Sequence, residues 1–336
     1  MEGINNLQNL IRHQSFLDAL GIPAQDKLQL TPLAQGEYHK NYTFIHPVSG
    51  KKLVLRVNYG SQLHLEKQVT YEYHALQLLE QSGRTPHPYY VDDTKTIIPQ
   101  GILVMDYLEG RPLSYDSDMD GAACCLADIH STKIDAKSNT LLPVDNPIYA
   151  ILDECEHMLD KYRNSHYKDD KVLKYIERLM KMAYKRAETI TDSGYQNVCI
   201  NTELNNHNFI VNDQTKAVSL IDWEKPLYGD MAQDLGHMLA PTTTFWRTDR
   251  VLSGQEINHF IDHYIKAVDG RVLLGDIEKR AHIFLQVTCL RGLTWCAMAW
   301  DEYQNPERGI RNEQTYSKLN AYLKLDFLEY IESVIK

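Results

Sequence analysis

The chain has 336 residues, 43% apolar and 24% charged, with a formal net charge of −10. That balance belongs to a globular protein with a real core, built as one large domain or two modest ones. The acidic surplus and the lack of a Lys/Arg-rich run argue against a nucleic-acid partner. No apolar run of about 18 residues stands out, so no membrane span or membrane partner is expected.

The first residues, MEGINNLQNLIRHQ, lack a basic stretch followed by a long apolar one, so no secretory signal is expected. From residue 28 to 58 two β-type runs flank a turn at Pro47 to Gly50. A helix pattern follows, HLEKQVTYEYHALQLLEQSG, with Leu65, Val69, Leu76 and Leu79 on one face and Gly83 as its stop. Pro86, Pro88 and a short strand region lead to GILVMDYLEGRPL. Residues 119–190 read mostly as helix, then comes a hairpin, and residues 255–336 return to helix. The Thr-rich stretch APTTTFW (240–246) reads as a loop near the site. The pattern is α+β: a β-rich region over 1–107 with one helix, then a mainly helical region over 108–336.

The six cysteines, Cys124, Cys125, Cys155, Cys199, Cys289 and Cys296, include no Cys-x-x-Cys pair. They read as reduced, mostly buried thiols of a cytoplasmic protein. Cys124 and Cys125, in AACCLADIH, are expected in the core, with His130 capping or packing on the same helix. His207 reads as a solvated loop residue.

The hairpin carries the first chemistry. FIV (209–211) and AVSLI (217–221) flank turn-forming residues around Asn212 and Asp213. Folding about residue 215 sets Phe209 opposite Ile221 and Asn208 opposite Asp222. Cross-strand partners have Cβ atoms about 4.5–5.5 Å apart, so an amide oxygen and a carboxylate converge at the open end. Oxygen ligands of this kind suit Mg²⁺; capping of strand ends is the plain alternative. Glu203, five residues upstream, lies where a general base could reach a substrate hydroxyl, or is a solvated loop acid.

A second pair lies in the first region. Glu72 falls on the apolar stripe of its helix, and Arg56 lies inside the strand LVLRV. A buried carboxylate needs a cation or strong hydrogen bonds. An Arg56–Glu72 ion pair satisfies both, either as a structural bridge or with Arg56 also meeting phosphate oxygens. Trp246, Trp295, Trp300, Asp301, Glu302 and Tyr303 combine indoles with carboxylates, which suits an ammonium group as well as helix packing.

Taken in order, the elements QGEYHKNYTF, VLRV, YEYHAL, ILVMDYLEG, LADIHS, NTELNNHNFIV, LIDWEKPLYGD and AQDLG resemble the aminoglycoside phosphotransferase and choline kinase-like family. The resemblance covers nearly the whole chain and implies a two-lobed protein-kinase-like fold, with a small β-rich lobe and a larger helical one. It implies a small-molecule kinase that moves the γ-phosphoryl group of ATP to a hydroxyl of a small substrate, and the indole and carboxylate set points to an amine-containing one. Asn208 and Asp222 would hold Mg²⁺, Arg56 would touch the α- and β-phosphates, and Glu72 would orient Arg56. Gly36 and its neighbours would cover the phosphates, and the backbone of Met105, Asp106 and Tyr107 would meet adenine. Asp230 and Asp234 correspond to acids that brace the catalytic loop, or cap the helix that follows. The sequence departs from the family at its His-Gly-Asp triplet, here Asn201-Thr202-Glu203, so Glu203 stands where the base aspartate would be. That triplet is the argument for the alternative, a nucleotide-binding pseudokinase. A regulated protein kinase is disfavoured, since no activation-loop segment follows Asp222.

Overall fold

The run KLVLRVN becomes the middle of a five-stranded antiparallel sheet, and its burial explains its composition. The computed structural model describes residues 2–135, 139–190, 194–305 and 312–335; residues 306–311, part of the stretch expected to be helical, lie outside it. Two compact units are built from separated segments. The first is Met1–Leu113, Thr132–Leu142 and His207–Pro226; the second is Ser114–Ser131, Pro143–Asn206 and Leu227–Lys336.

In the first unit, helices α1 (Glu2–Leu10) and α2 (Gln14–Leu20) precede strands β1 (Thr31–Gln35), β2 (His39–Ile45) and β3 (Lys52–Asn58). Helix α3 (Gln68–Leu79), β4 (Pro88–Asp92) and β5 (Gly101–Asp106) complete it, in the sheet order β1-β2-β3-β5-β4. The two β-type runs expected over 28–58 thus form three strands. Alternation along β3 sends Leu53, Leu55 and Val57 into a core with Leu10, Phe16 and Leu17 of the N-terminal helices and Ile11 between them. Val54 and Arg56 point to the opposite face. Each fully buried Leu or Phe of that core contributes roughly 1.5–3 kcal/mol. The sequence reading did not foresee α1 and α2, which are too short for a sustained helical period.

Helix α3 starts three residues later than expected at its apolar end. At Leu65 the chain is still turning: His64 has φ 55° and the Leu65 N–H donates to Ser61 Oγ at 2.9 Å. Gly83 stops the helix as expected, with φ 66°, after one 3₁₀ turn at Glu80–Ser82.

The short strand β6 (Arg111–Pro112) pairs with β8 (Phe209–Val211), and β8 with β9 (Val218–Leu220). This hairpin is tied into the first unit by Arg84, whose backbone carbonyl accepts from Leu220 N–H at 2.8 Å. Gln68 Nε2 donates to the Glu224 carbonyl at 2.6 Å, and Tyr71 Oη to that of Pro226 at 2.5 Å.

The second unit is helical: α4 (Met119–His130), α5 (Pro147–Arg163), α6 (Asp170–Ala187), α7 (Met231–Leu239), α8 (Pro241–Thr248), α9 (Gly254–Val268), α10 (Ile277–Gln304), α11 (Glu313–Tyr322) and α12 (Leu325–Ile335). A two-stranded ribbon joins β7 (Val198–Ile200) to β10 (Leu227–Gly229). The Thr-rich stretch is not a loop: Pro241 opens α8 as its first residue, where its missing N–H costs nothing. Helix α10 is long and apolar enough to cross a bilayer, yet 72% of its most apolar window is buried. It is the core helix, packed by α5, α6 and α7. Gly236 lets α7 approach it, because a Cβ there would lie 2.5 Å from Leu285 N and Phe284 Cβ.

Candidate active site

In the first unit, β3 and α3 place Arg56 and Glu72 face to face. Arg56 Nη1 donates to Glu72 Oε1 at 2.6 Å, and the two side chains are 5% and 2% exposed. Arg56 Nε reaches Asn41 Oδ1, on the paired strand, at 3.3 Å. The same Nη1 lies 3.1 Å from Asp222 Oδ1. Burial would lower the Arg56 guanidinium, but Glu72, then Asp222 and Glu224, hold it above its ordinary value. It stays charged at any working pH. Arg56 and Glu72 therefore meet as expected, and Asp222 joins them.

The hairpin register differs from the expected one by a single residue. Phe209 pairs with Leu220 and Val211 with Val218, so Asn208 stands opposite Ile221, whose N–H donates to its carbonyl at 2.8 Å. The cause is the connection 213–216. Asn212 Oδ1 accepts from Gln214 and Thr215 N–H, Asn212 N–H donates to the Ala217 carbonyl, and Lys216 turns left-handed at φ 60°. One residue of slip reverses the face of every side chain. Asp222 is re-aimed by its own backbone, at φ 68°, a conformation Asp tolerates better than most residues.

Two residues without an expected role join this end of the hairpin. Glu224 Oε2 lies 3.1 Å from His39 Nδ1, and His39, Asp222 and Glu224 offer ligand atoms within 4.8 Å of one another. Glu224 was visible in LIDWE, two residues past Asp222. His39 closes the glycine turn: Gly36 N–H donates to the His39 carbonyl at 2.9 Å. A Cβ on Gly36 would lie 2.8 Å from the His39 ring, which is why the position holds glycine. Glu72 and Asp222 thus contact one guanidinium, and Glu224 stands beside Asp222. This surplus of oxygen ligands and negative charge fits a hard divalent cation.

Met105 and Asp106 end β5, and Tyr107 follows it. Met105 is buried. The N–H groups of Asp106 and Tyr107 donate to the carbonyls of His87 (3.0 Å) and Lys52 (3.3 Å). The Asp106 carboxylate accepts from Tyr89 Oη at 2.8 Å.

In the second unit, the loop after β7 carries Asn201, Thr202 and Glu203. Asp234, fully buried on α7, accepts from Asn201 N–H at Oδ2 and Thr202 N–H at Oδ1, both at 2.8 Å. His130 Nε2 lies 3.2 Å from the same Oδ2, and His130 Nδ1 lies 2.9 Å from Tyr264 Oη. Burial raises Tyr264 well above its ordinary value, so it keeps its proton. The tautomer that fits has Tyr264 donating to Nδ1 and Nε2–H donating to Asp234. His130 therefore supports the acid that braces the loop, a role its sequence context did not disclose.

The two expected structural acids separate. Asp234 holds the loop, while Asp230 caps α7 through Ala232 N–H at 2.9 Å. Asp230 also takes a two-pronged ion pair from the buried Arg280, at 2.7 and 3.1 Å. Within the loop, Asn201 Oδ1 accepts from Glu203 N–H at 3.2 Å, a local turn that presents Glu203. Thr202 has φ 72°, an outlying conformation for a β-branched residue at the position where the resemblance has glycine.

The aromatic set divides as well. Trp246 and Trp295 meet edge to face at 5.5 Å and line a cavity of about 330 Å³ with His237, Thr242, Glu154 and Arg291. Trp300 instead donates to Asn320 Oδ1 at 2.9 Å, Asp301 accepts from Ser165 Oγ, and Tyr303 stacks on Tyr316.

A β-sheet N-terminal region and a helical C-terminal region, with these acids and this arginine, define a protein-kinase-like fold. It is similar to that of a Ralstonia eutropha protein assigned as an aminoglycoside phosphotransferase (13% identity, 98% of each chain covered, TM-score 0.64). It is also similar to a choline kinase of Cryptosporidium parvum (13% identity, 100% of this chain and 98% of that one, TM-score 0.59). A spectinomycin phosphotransferase solved with ADP and spectinomycin is a third (12% identity, 92% and 93%, TM-score 0.59). No curated protein matches the chain in sequence. Residues 29–267 match the sequence profile of the phosphotransferase enzyme family, and the chain belongs to that family.

Proposed function

We propose that the protein transfers the γ-phosphoryl group of ATP to a hydroxyl group of a small, amine-bearing substrate in the cytoplasm, where ATP is supplied. The observation that carries the reading is the buried Arg56 paired with both Glu72 and Asp222, with Glu224 beside Asp222. Arg56, held rigid by Glu72, binds the α- and β-phosphate oxygens. Asp222 and Asn208 would hold Mg²⁺, which would neutralise charge on the phosphates. Gly36 and its turn, pinned by His39, cover the phosphates. At the end of β5, carbonyl oxygens receive the adenine amine, since the N–H groups of Asp106 and Tyr107 are already engaged.

Glu203 accepts the proton of the substrate hydroxyl as its oxygen bonds to the γ-phosphorus. The bond from that phosphorus to the β-bridging oxygen breaks, and ADP leaves. Glutamate and aspartate have similar ordinary pKa values, so the replacement keeps a proton acceptor. In phosphoryl transfer, positioning and charge stabilisation carry most of the rate. The indole faces of the Trp246–Trp295 cavity support an amine on the substrate; the Glu154 carboxylate beside them is paired with Arg291 at 2.9 Å. Choline and spectinomycin, named for two proteins of similar fold, are hydroxyl compounds of that kind.

Calorimetric titration of ATP with and without Mg²⁺ tests the reading, on wild type and Asp222→Asn. Mg²⁺-dependent binding, lost in Asp222→Asn, is expected. A panel of amino alcohols and aminoglycosides should then stimulate ADP release, and Glu203→Ala should lower it at least about tenfold. No nucleotide binding would overturn the proposal. Full turnover in Glu203→Ala would remove Glu203 from its role. Tight MgATP binding without turnover on any acceptor would favour the pseudokinase alternative.

A further inference from the structure

We propose a zinc site on the second unit, between α4 and α9, formed by Asp120, His259 and His263. It is separate from the residues assigned to ATP and to the acceptor. His259 and His263 are four residues apart, one turn along α9, and so share a face. Asp120 is in the first turn of α4, and the two helices pack together. Contacts step along both in the same direction: Asp120 with His259, Cys124 with His263, and Asp128 with Arg271 just past α9.

The donor atoms have the spacing of a tetrahedral ion. Asp120 Oδ1 is 2.9 Å from His259 Nε2 and 3.8 Å from His263 Nδ1, and all three lie within 4.8 Å of one another. Ligands of zinc at about 2.0–2.1 Å in tetrahedral geometry stand about 3.3 Å apart, between these two separations. The 3.8 Å separation is too long for a hydrogen bond.

His263 is prepared for the task by its other nitrogen. Its Nε2 lies 3.5 Å from Cys124 Sγ. Donation of Nε2–H to that sulfur leaves the Nδ1 lone pair aimed at Asp120. A metal-bound histidine characteristically donates its second N–H to a carboxylate, carbonyl or water, which fixes tautomer and ring orientation; here the Cys124 sulfur takes that place. Two imidazoles and one carboxylate select a first-row transition metal, whereas Mg²⁺ prefers oxygen alone. The site is reachable: the His263, Asp120 and His259 side chains are 33%, 59% and 65% exposed. His259 and Asp120 also border a cavity of about 590 Å³, so water can fill the fourth position. Bound zinc clamps α4 to α9, and through them steadies the His130–Tyr264 contact that these same helices make.

The test is zinc titration of the full chelator-stripped chain, in competition with a chromophoric chelator, for wild type, His259→Asn, His263→Asn, Cys124→Ala and Asp222→Asn. Wild type and Asp222→Asn should each bind one zinc with equal affinity. Either histidine variant should bind at least about tenfold more weakly, and Cys124→Ala about tenfold more weakly, as loss of an outer partner implies. Cobalt in place of zinc should give a visible absorption band that disappears in both histidine variants. Circular dichroism checks that these variants are folded. No stoichiometric zinc in wild type would overturn the proposal. So would affinity unchanged in both histidine variants, or zinc displaced by equimolar Mg²⁺.

Discussion

Substituting Glu72→Ala isolates the energetics of the buried arginine. Arg56 and Glu72 are 5% and 2% exposed and joined at 2.6 Å. Removing one partner of a buried pair typically costs about 3–5 kcal/mol, because the other charge is left uncompensated. Asp222 remains 3.1 Å from Arg56, which places the expected loss at the lower end, about 3 kcal/mol. That is a large part of a stability of about 5–15 kcal/mol. With a urea m-value of about 1–3 kcal/mol/M, the midpoint should fall by roughly 1 M or more. The double variant Arg56→Met/Glu72→Leu should recover most of the loss, since well-packed apolar residues replace such pairs at little cost, while MgATP binding is abolished. A loss below about 1 kcal/mol in Glu72→Ala would mean that Arg56 does not depend on Glu72 for its charge compensation. A double variant as unstable as the worse single one would mean that apolar packing does not replace the pair.

Thr202→Gly should raise stability by about 0.5–1 kcal/mol. Left-handed strain of about 1–2 kcal/mol is released, and about 0.5–1 kcal/mol returns as glycine entropy in the unfolded chain; thermal melting reads the sign. Asp234→Ala leaves the Asn201 and Thr202 N–H groups without their carboxylate. At about 1.5–3 kcal/mol for each bond to a charged group, a loss of at least about 3 kcal/mol is expected, with faster proteolysis at the loop. His282, half-buried on α10, titrates below its ordinary value because burial disfavours its charged form. The unfolded chain therefore binds this proton first as pH falls below about 6.5, so stability drops with falling pH until the folded form is protonated too. His282→Gln should flatten the melting temperature between pH 7 and 5.

Much of this protein was legible before folding. The strand LVLRV, the helix carrying Glu72, the helical stretches and the order of the motifs follow from local periodicity and from residue types with few alternative uses. An arginine inside an apolar strand and a glutamate on an apolar helix face must find each other, because neither can be buried alone. Tertiary structure decided what depends on distant partners or on single backbone angles. The hairpin register turned on Asn212 and Lys216, one residue away from the expected pairing, and Asp222 reached Arg56 only through its left-handed backbone. Glu224 acquired its setting from His39, 185 residues earlier in the chain, and His130 from Asp234 and Tyr264. Helix caps and apolar stripes are written in neighbouring residues. A buried hydrogen-bond chain is satisfied across the fold, where a sequence read in order shows only its separate members.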